Sequence, residues 1–127
     1  MSKKILNTEK APAPIGPYNQ SVAANGFLFA SGQIPIIPAT GELVTGSAAE
    51  QAEQCLKNIG EILKNAGISF DAVVKTTVFL SNMNDFASVN EVYGKYFPSD
   101  TAPARSCVEV AKLPKGVAVE IEVIAAL

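Results

Sequence analysis

The stretch ARSCVEVAKLPKGVAVEIEVIA, residues 104–125, decides how the rest of the chain reads. Both of its ends alternate residue character at period two, the pattern of strands with two unlike faces. In 104–110, Ala104, Ser106, Val108 and Val110 share one face, and Arg105, Cys107 and Glu109 share the other. In 117–125, Val117, Val119, Ile121, Val123 and Ala125 form an apolar face, opposed by Ala118, Glu120, Glu122 and Ile124. The connection between the strands is short and carries Pro114 and Gly116. The simplest expectation is an antiparallel pair folded about 111–116, in which Cys107 faces Glu120 and Arg105 faces Glu122. Apolar faces would then meet helices, and the arginine, the thiol and two carboxylates would gather on the face away from them. A one-residue slip would turn every side chain over, so the whole expectation hangs on register.

Upstream, SVAANGFLFASGQ reads as a hairpin, with strands at about 18–24 and 27–33. Asn25-Gly26 is its turn, because a type I′ turn needs positive φ at both central residues. Ser31-Gly32 fits a bulge or strand end. SAAEQAEQCLKNIGEILKNAG is the clearest helix. Ser47 and Glu50 make a capping box, Ala52, Cys55, Leu56, Ile59, Ile62, Leu63 and Ala66 form an apolar stripe, and Gly67 is the stop. Residues 72–80, AVVKTTVFL, are β-branched and read as a strand. Phe86, Val89, Val92, Tyr93, Tyr96 and Phe97 recur at helical spacing before Pro98. Residues 1–17, broken by Pro12, Pro14 and Pro17, read as irregular. The order β-β-α-β-α-β-β predicts a single α+β domain over 1–127, two helices on one face of a mixed sheet.

Composition narrows the chemistry. The 127 residues carry 10 Lys+Arg against 12 Asp+Glu, for a net charge of −2. With scattered lysines this argues against a nucleic-acid face, which needs clustered positive charge. No apolar run approaches the ~18 residues of a membrane span. Cys55 and Cys107 fit neither a disulfide framework nor a zinc pattern, so free thiols in a reducing, cytoplasmic compartment are expected. The chain has no histidine, which removes Ser-His and Cys-His pairs. It has no phosphate-cradling glycine motif and no carboxylate cluster spaced for a metal. What remains is recognition of a small anion by Arg105, the only arginine, with acid/base work from Glu120.

A plainer reading of the same residues is a cross-strand ion pair between Arg105 and Glu122, worth ~0.2–1 kcal/mol. Against it stands the apolar character of both faces of the other strands: Phe27 and Phe29 against Leu28 and Ala30, Val74 and Val78 against Val73 and Phe79. One helix layer covers one side, so the other side calls for a second copy of the chain.

GPYNQSV, ASGQIP, VKTTVFL, NDFASVNEVY and PARSCVEVAKLPKGVAVEIEVIA resemble the RidA (YjgF) family of small enamine/imine deaminases over about residues 5–126. The resemblance implies a chorismate-mutase-like fold and a homotrimer whose sheets form a barrel, with active sites between subunits. Carried over by position, Arg105 holds a substrate carboxylate and Glu120 positions the attacking water. The backbone of Cys107, with Ser31, Gly32 and Tyr18, lines the pocket, and Asn90 and Phe86 come from the neighbouring subunit. The substrates implied are 2-aminoacrylate and 2-aminocrotonate, hydrolysed through their imines to 2-keto acids and ammonia without cofactor or metal. Two other functions stay open: a non-catalytic 2-keto acid sensor, and an RNA-directed translation inhibitor or nuclease, against which the acidic balance weighs.

Overall fold

The computed structural model describes residues 2–127. Helix α1, Ala48–Asn65, starts where the sequence places it. Ser47 accepts from the backbone of Glu50 while the Glu50 carboxylate accepts from the Ser47 backbone, completing the capping box. Gly67 follows at φ 79, the left-handed conformation that closes a helix. The buried side of α1 is the predicted stripe, with Ala52, Cys55, Leu56, Ile59, Ile62 and Leu63 nearly or fully excluded from water.

The hairpin forms about the predicted turn, with its first strand beginning at Ser21 rather than near 18. Strands β2, Ser21–Ala24, and β3, Phe27–Gln33, flank Asn25 at φ 53 and Gly26 at φ 81. The remaining elements are β1 (Lys4–Leu6), β4 (Val73–Leu80), α2 (Phe86–Tyr96), β5 (Ala104–Glu109) and β6 (Val119–Ala126). Strand β1 corrects the reading of 1–17 as wholly irregular. It pairs antiparallel with β2, Lys4 opposite Ala23, ahead of the prolines. Three residues at a sheet edge give too short a run for periodicity to reveal.

The sheet order is β1-β2-β3-β6-β4-β5, and it overturns the expected pairing of the last two strands. β4 lies between them, antiparallel to β6 and parallel to β5. A parallel pair needs a crossover, and α2 supplies it. The short 110–118 connection is therefore not a hairpin. It steps across the end of β4, where Val110 N–H donates to Leu80 C=O at 2.9 Å and Ser81 N–H donates to Ala118 C=O at 3.1 Å. Spanning one intervening strand means covering roughly 10 Å, which that length of chain does easily.

Register then fixes the faces. Arg105 stands opposite Thr76 and Cys107 opposite Val78, on the face whose side chains Val78, Leu80, Val119, Ile121 and Val123 pack with α1 and α2 in one core. Glu120 stands opposite Phe79 and Glu122 opposite Thr77, on the other face. Strand β5 is thus turned over relative to the expectation: Arg105 and Cys107, not Ala104, Ser106 and Val108, point to the helix side. Two neighbours on that side, Thr76 and Tyr93, are buried polar groups that share a 2.7 Å hydrogen bond. Among the described residues no helix is long and apolar enough to cross a membrane.

Replacing Thr76 with Val keeps the shape and leaves the Tyr93 hydroxyl buried without its partner. Urea unfolding of Thr76→Val should show a loss of about 1–3 kcal/mol, the penalty for an unpaired buried polar group. Thr76→Ser, which retains the hydroxyl, should lose less.

Candidate active site

The sequence-predicted residues fall into two groups. The first lines a cleft of about 580 Å³ and includes Tyr18, Ser31, Gly32, Pro114, Glu120 and Glu122. Its floor is the irregularity in β3, where pairing with β6 shifts register between Ala30 and Gln33. Such a bulge re-aims side chains at one point of a sheet. Ser31 is fixed there on both sides: its hydroxyl donates to Asn19 C=O at 2.6 Å and its N–H to Gln20 C=O at 2.9 Å. At position 32 a Cβ would lie 2.9 Å from Cδ of Glu120 and closer still to Oε2. Glycine is required because the carboxylate rests against the strand backbone. Tyr18 packs its ring over Gly16 and remains 48% exposed at the mouth of the cleft.

Burial raises the pKa of Glu120 above that of an ordinary carboxyl, and the neighbouring charge of Glu122 raises it further. A carboxyl that keeps its proton to higher pH is suited to acid/base work near neutrality.

The second group surrounds Arg105 on the other face. Its Nη1 donates to Asn90 Oδ1 at 2.6 Å. The guanidinium carbon sits 4.7 Å from the Tyr93 ring centroid and 5.5 Å from that of Phe86. Phe86, Asn90 and Tyr93 are spaced i, i+4, i+7, so α2 presents all three on one face. Stacking and the Asn90 bond fix the plane of a guanidinium on the exposed edge strand. Cys107 is the next residue on this face. Burial raises its pKa, and the Arg105 charge opposes that only in part. Near neutral pH Cys107 is a thiol and not a nucleophile.

Within the protomer the groups do not meet, because Arg105 and Glu120 occupy opposite faces of the sheet with β4 between their strands. The Arg105–Glu122 pair expected from the sequence does not form. Asn90 and Phe86 stand beside Arg105 in the same chain, whereas Tyr18, Ser31 and Gly32 stand with Glu120. Sequence reasoning missed Tyr93 as a partner of Arg105. Its signal was present, seven residues after Phe86, and was absorbed by the apolar stripe. Ile15, Ile34, Ile36 and Lys115 also line the cleft; they lie in segments without periodicity. Among the described residues no cluster of His, Cys, Asp and Glu could hold a metal ion.

A family model described as endoribonuclease L-PSP matches residues 8–127. A human protein named 2-iminobutanoate/2-iminopropanoate deaminase is 52% identical over 123 residues, covering 97% of this chain and 89% of its own. The crystal structure of a protein of the conserved Rid family from Yersinia pestis superposes with a TM-score of 0.96 at 51% identity, over 99% of this chain and 100% of the other. The crystal structure of E. coli TdcF with bound serine gives 0.91 at 47% identity over 98% of each chain.

The cause of the Glu120 shift is separable by NMR titration of its side-chain carboxyl carbon. Wild type should titrate above the ordinary carboxylate range. Glu122→Gln should lower the Glu120 pKa only partway, because burial is the larger cause. Gly32→Ala should lower it more, by pushing the carboxylate off the backbone toward water.

Proposed function

The chain belongs to the endoribonuclease L-PSP family, the RidA/YjgF group of Rid proteins, and from that premise we propose that it hydrolyses 2-aminocrotonate and 2-aminoacrylate, through their imines, to 2-keto acids and ammonia. The observation that carries this reading is the division of labour between the two faces: a planar, pre-oriented guanidinium at one sheet edge and a carboxyl of raised proton affinity in a cleft on the other side. A 2-imino acid needs both. Neither half suffices alone, and the edge of one copy set against the cleft of the next brings them together.

The face away from the helices supports such an assembly. Phe27, Phe29, Val74 and Val108 are each between 41% and 46% exposed there. Apolar side chains of that size on a sheet face suit burial against other copies. We take the assembly to be a homotrimer with the sheets closed into a barrel and one site at each of the three interfaces, in a reducing compartment where Cys55 and Cys107 stay free thiols.

The chemistry asks little of the protein. The enamine takes a proton at C3 and gives one up from nitrogen to become an imine, whose C2 is electrophilic. Arg105 holds the substrate carboxylate by two parallel hydrogen bonds, with Asn90, Phe86 and Tyr93 fixing its plane. Glu120, ionised, takes a proton from water as the oxygen bonds to C2. It returns that proton to nitrogen to give a carbinolamine, then takes the hydroxyl proton as the C2–O bond becomes a carbonyl and passes it to nitrogen as the C2–N bond breaks and ammonia leaves. Ser31, Gly32 and Tyr18 shape the space around C2.

An RNA-directed activity is the reading that the family's description invites. The cleft argues against it, since Glu120 and Glu122 would repel phosphate. RNA binding titrated against salt distinguishes the two readings. A sensor that binds 2-keto acids without turnover is excluded if the protein accelerates pyruvate and ammonia formation from 2-aminoacrylate generated in situ by a dehydratase.

Glu120→Gln should lower turnover by ~10²–10⁴ while keeping 2-keto acid binding. Arg105→Lys, which keeps the charge and loses the fork, should lose roughly ten- to a hundredfold in kcat/KM. Co-expressing Arg105→Ala with Glu120→Gln should restore activity, because about a quarter of randomly mixed interfaces regain both groups; no restoration would place both halves of the site in one subunit. The folded pKa of Glu120 lies above its unfolded value, so its contribution to stability is lost as pH rises through the folded pKa. At neutral pH Glu120→Gln should therefore melt above wild type, and kcat/KM of wild type should fall as pH drops through the same raised pKa.

A further inference from the structure

The cleft that holds Glu120 has an outer wall that is not part of the sheet. Pro12, Ala13, Ile15 and Tyr18 belong to the segment between β1 and β2, which forms neither strand nor helix. Ile15 is 77% exposed, more than any other large apolar side chain described. A single exposed isoleucine on an irregular segment would ordinarily mean nothing.

The anchoring of this segment is what gives the isoleucine meaning. Gln20 is 2% exposed, and its side-chain amide is spent entirely on the segment. Oε1 accepts from Thr8 N–H at 2.7 Å, and Nε2 donates to the carbonyls of Pro12 at 2.8 Å, Thr8 at 2.9 Å and Ala11 at 3.2 Å. Asn7 Oδ1 accepts from the Gln20 N–H at 2.8 Å, and Ala11 is buried in the core. Residues 8–12 are thereby pinned at one end, and Tyr18 leads into β2 at the other. Residues 13–18 form the arch between this anchored end and β2, and its Ala13, Ile15 and Tyr18 line the cleft with Ser31, Gly32 and Glu120. A second part of the lining is also pinned by a buried amide: Asn58 Nδ2 donates to the carbonyls of Ile36 at 2.9 Å and Ile34 at 3.4 Å. Ile15, Ile34 and Ile36 line the same cleft as the Glu120 carboxylate and supply its apolar jaws.

Given the deaminase reading, on which this step rests, a substrate with its carboxylate at Arg105 and C2 at Glu120 has its own side chain left for these jaws. We propose that the arch of residues 13–18, positioned by Gln20, selects substrates by the size of the apolar side chain on C3, with Ile15 as the residue that makes the contact.

Calorimetry with 2-oxopropanoate and 4-methyl-2-oxopentanoate tests this without turnover. Wild type should bind the longer acid more tightly. In Ile15→Ala the ratio of the two affinities should fall by roughly four- to fifteenfold, the worth of one or two buried methylenes. In Ile15→Phe, which narrows the jaws, the ratio should also fall, now by exclusion of the longer acid. Gln20→Met keeps length and removes every anchoring bond; if it folds, it should reproduce the Ile15→Ala ratio. A merely structural role for Gln20 would lower the melting temperature and leave the ratio intact. An unchanged ratio in both Ile15 variants, or a wild type indifferent to side-chain length, overturns the proposal. Failure of wild type to bind either keto acid overturns the deaminase reading and this one with it, whereas binding of both with an unmoved ratio overturns this one alone.

Discussion

Strand β4 pairs with β6 on one side and β5 on the other, and nearly everything about the site follows from that placement. Alternation along β4 sends Thr76, Val78 and Leu80 into the core and Thr77 and Phe79 to the other face. Pairing transmits this alternation outward: Thr76 fixes Arg105, and Phe79 fixes Glu120. The cation and the acid are thus committed to opposite sides of a single sheet, and no side-chain rotation can reunite them. Each face of the protomer carries its own well-organised group. The guanidinium has its hydrogen-bond acceptor and its aromatic rings, and the carboxyl has its glycine and its cleft.

The irregular parts of the cleft are held by buried amides. Gln20 secures residues 8–12, Asn58 secures 34–36, and Gln51 ties Gly46 C=O to Ala118 N–H, just before Glu120. A side-chain amide has donors and an acceptor, so it can satisfy carbonyls and N–H groups of loop backbone that has no ladder of its own. Leaving any of these loop groups buried and unpaired would be destabilising. Precision in the cleft therefore comes from the core outward, through Gln and Asn side chains that composition alone would mark as surface residues.

Glu120 illustrates the tension between folding and chemistry. A carboxylate pressed against backbone at Gly32 and placed two residues from Glu122 is less comfortable ionised than in water. That discomfort opposes folding at neutral pH and raises the residue's affinity for a proton. Cys107 shows the reverse economy. It lies beside a guanidinium, which favours a thiolate, yet burial outweighs that influence and keeps the sulfur inert.

The sequence by itself determined what depends on near neighbours along the chain. The Ser47 capping box, the Asn25-Gly26 turn, the stripe of α1 and the alternation within β5 and β6 are local, and each was legible from spacing and residue type, whereas an irregularity at Val73/Lys75 puts Val73, not Val74, on the core face with Val78. The same holds for the candidacy of Arg105 and Glu120, since a lone arginine and a carboxylate strand in a chain without histidine leave few other actors. Tertiary structure decided which strands are neighbours. The short connection between β5 and β6 suggested a hairpin, but a strand distant in sequence, β4, takes the place between them. Parallel pairing of β4 with β5 through α2 is a non-local contact that no window of sequence records. Because side chains alternate at period two, that one difference of partner turned Arg105 and Cys107 to the helix side and brought Arg105 to Asn90, Phe86 and Tyr93. It also left Glu120 among Tyr18, Ser31 and Gly32, on a face that the protomer's own helices do not cover.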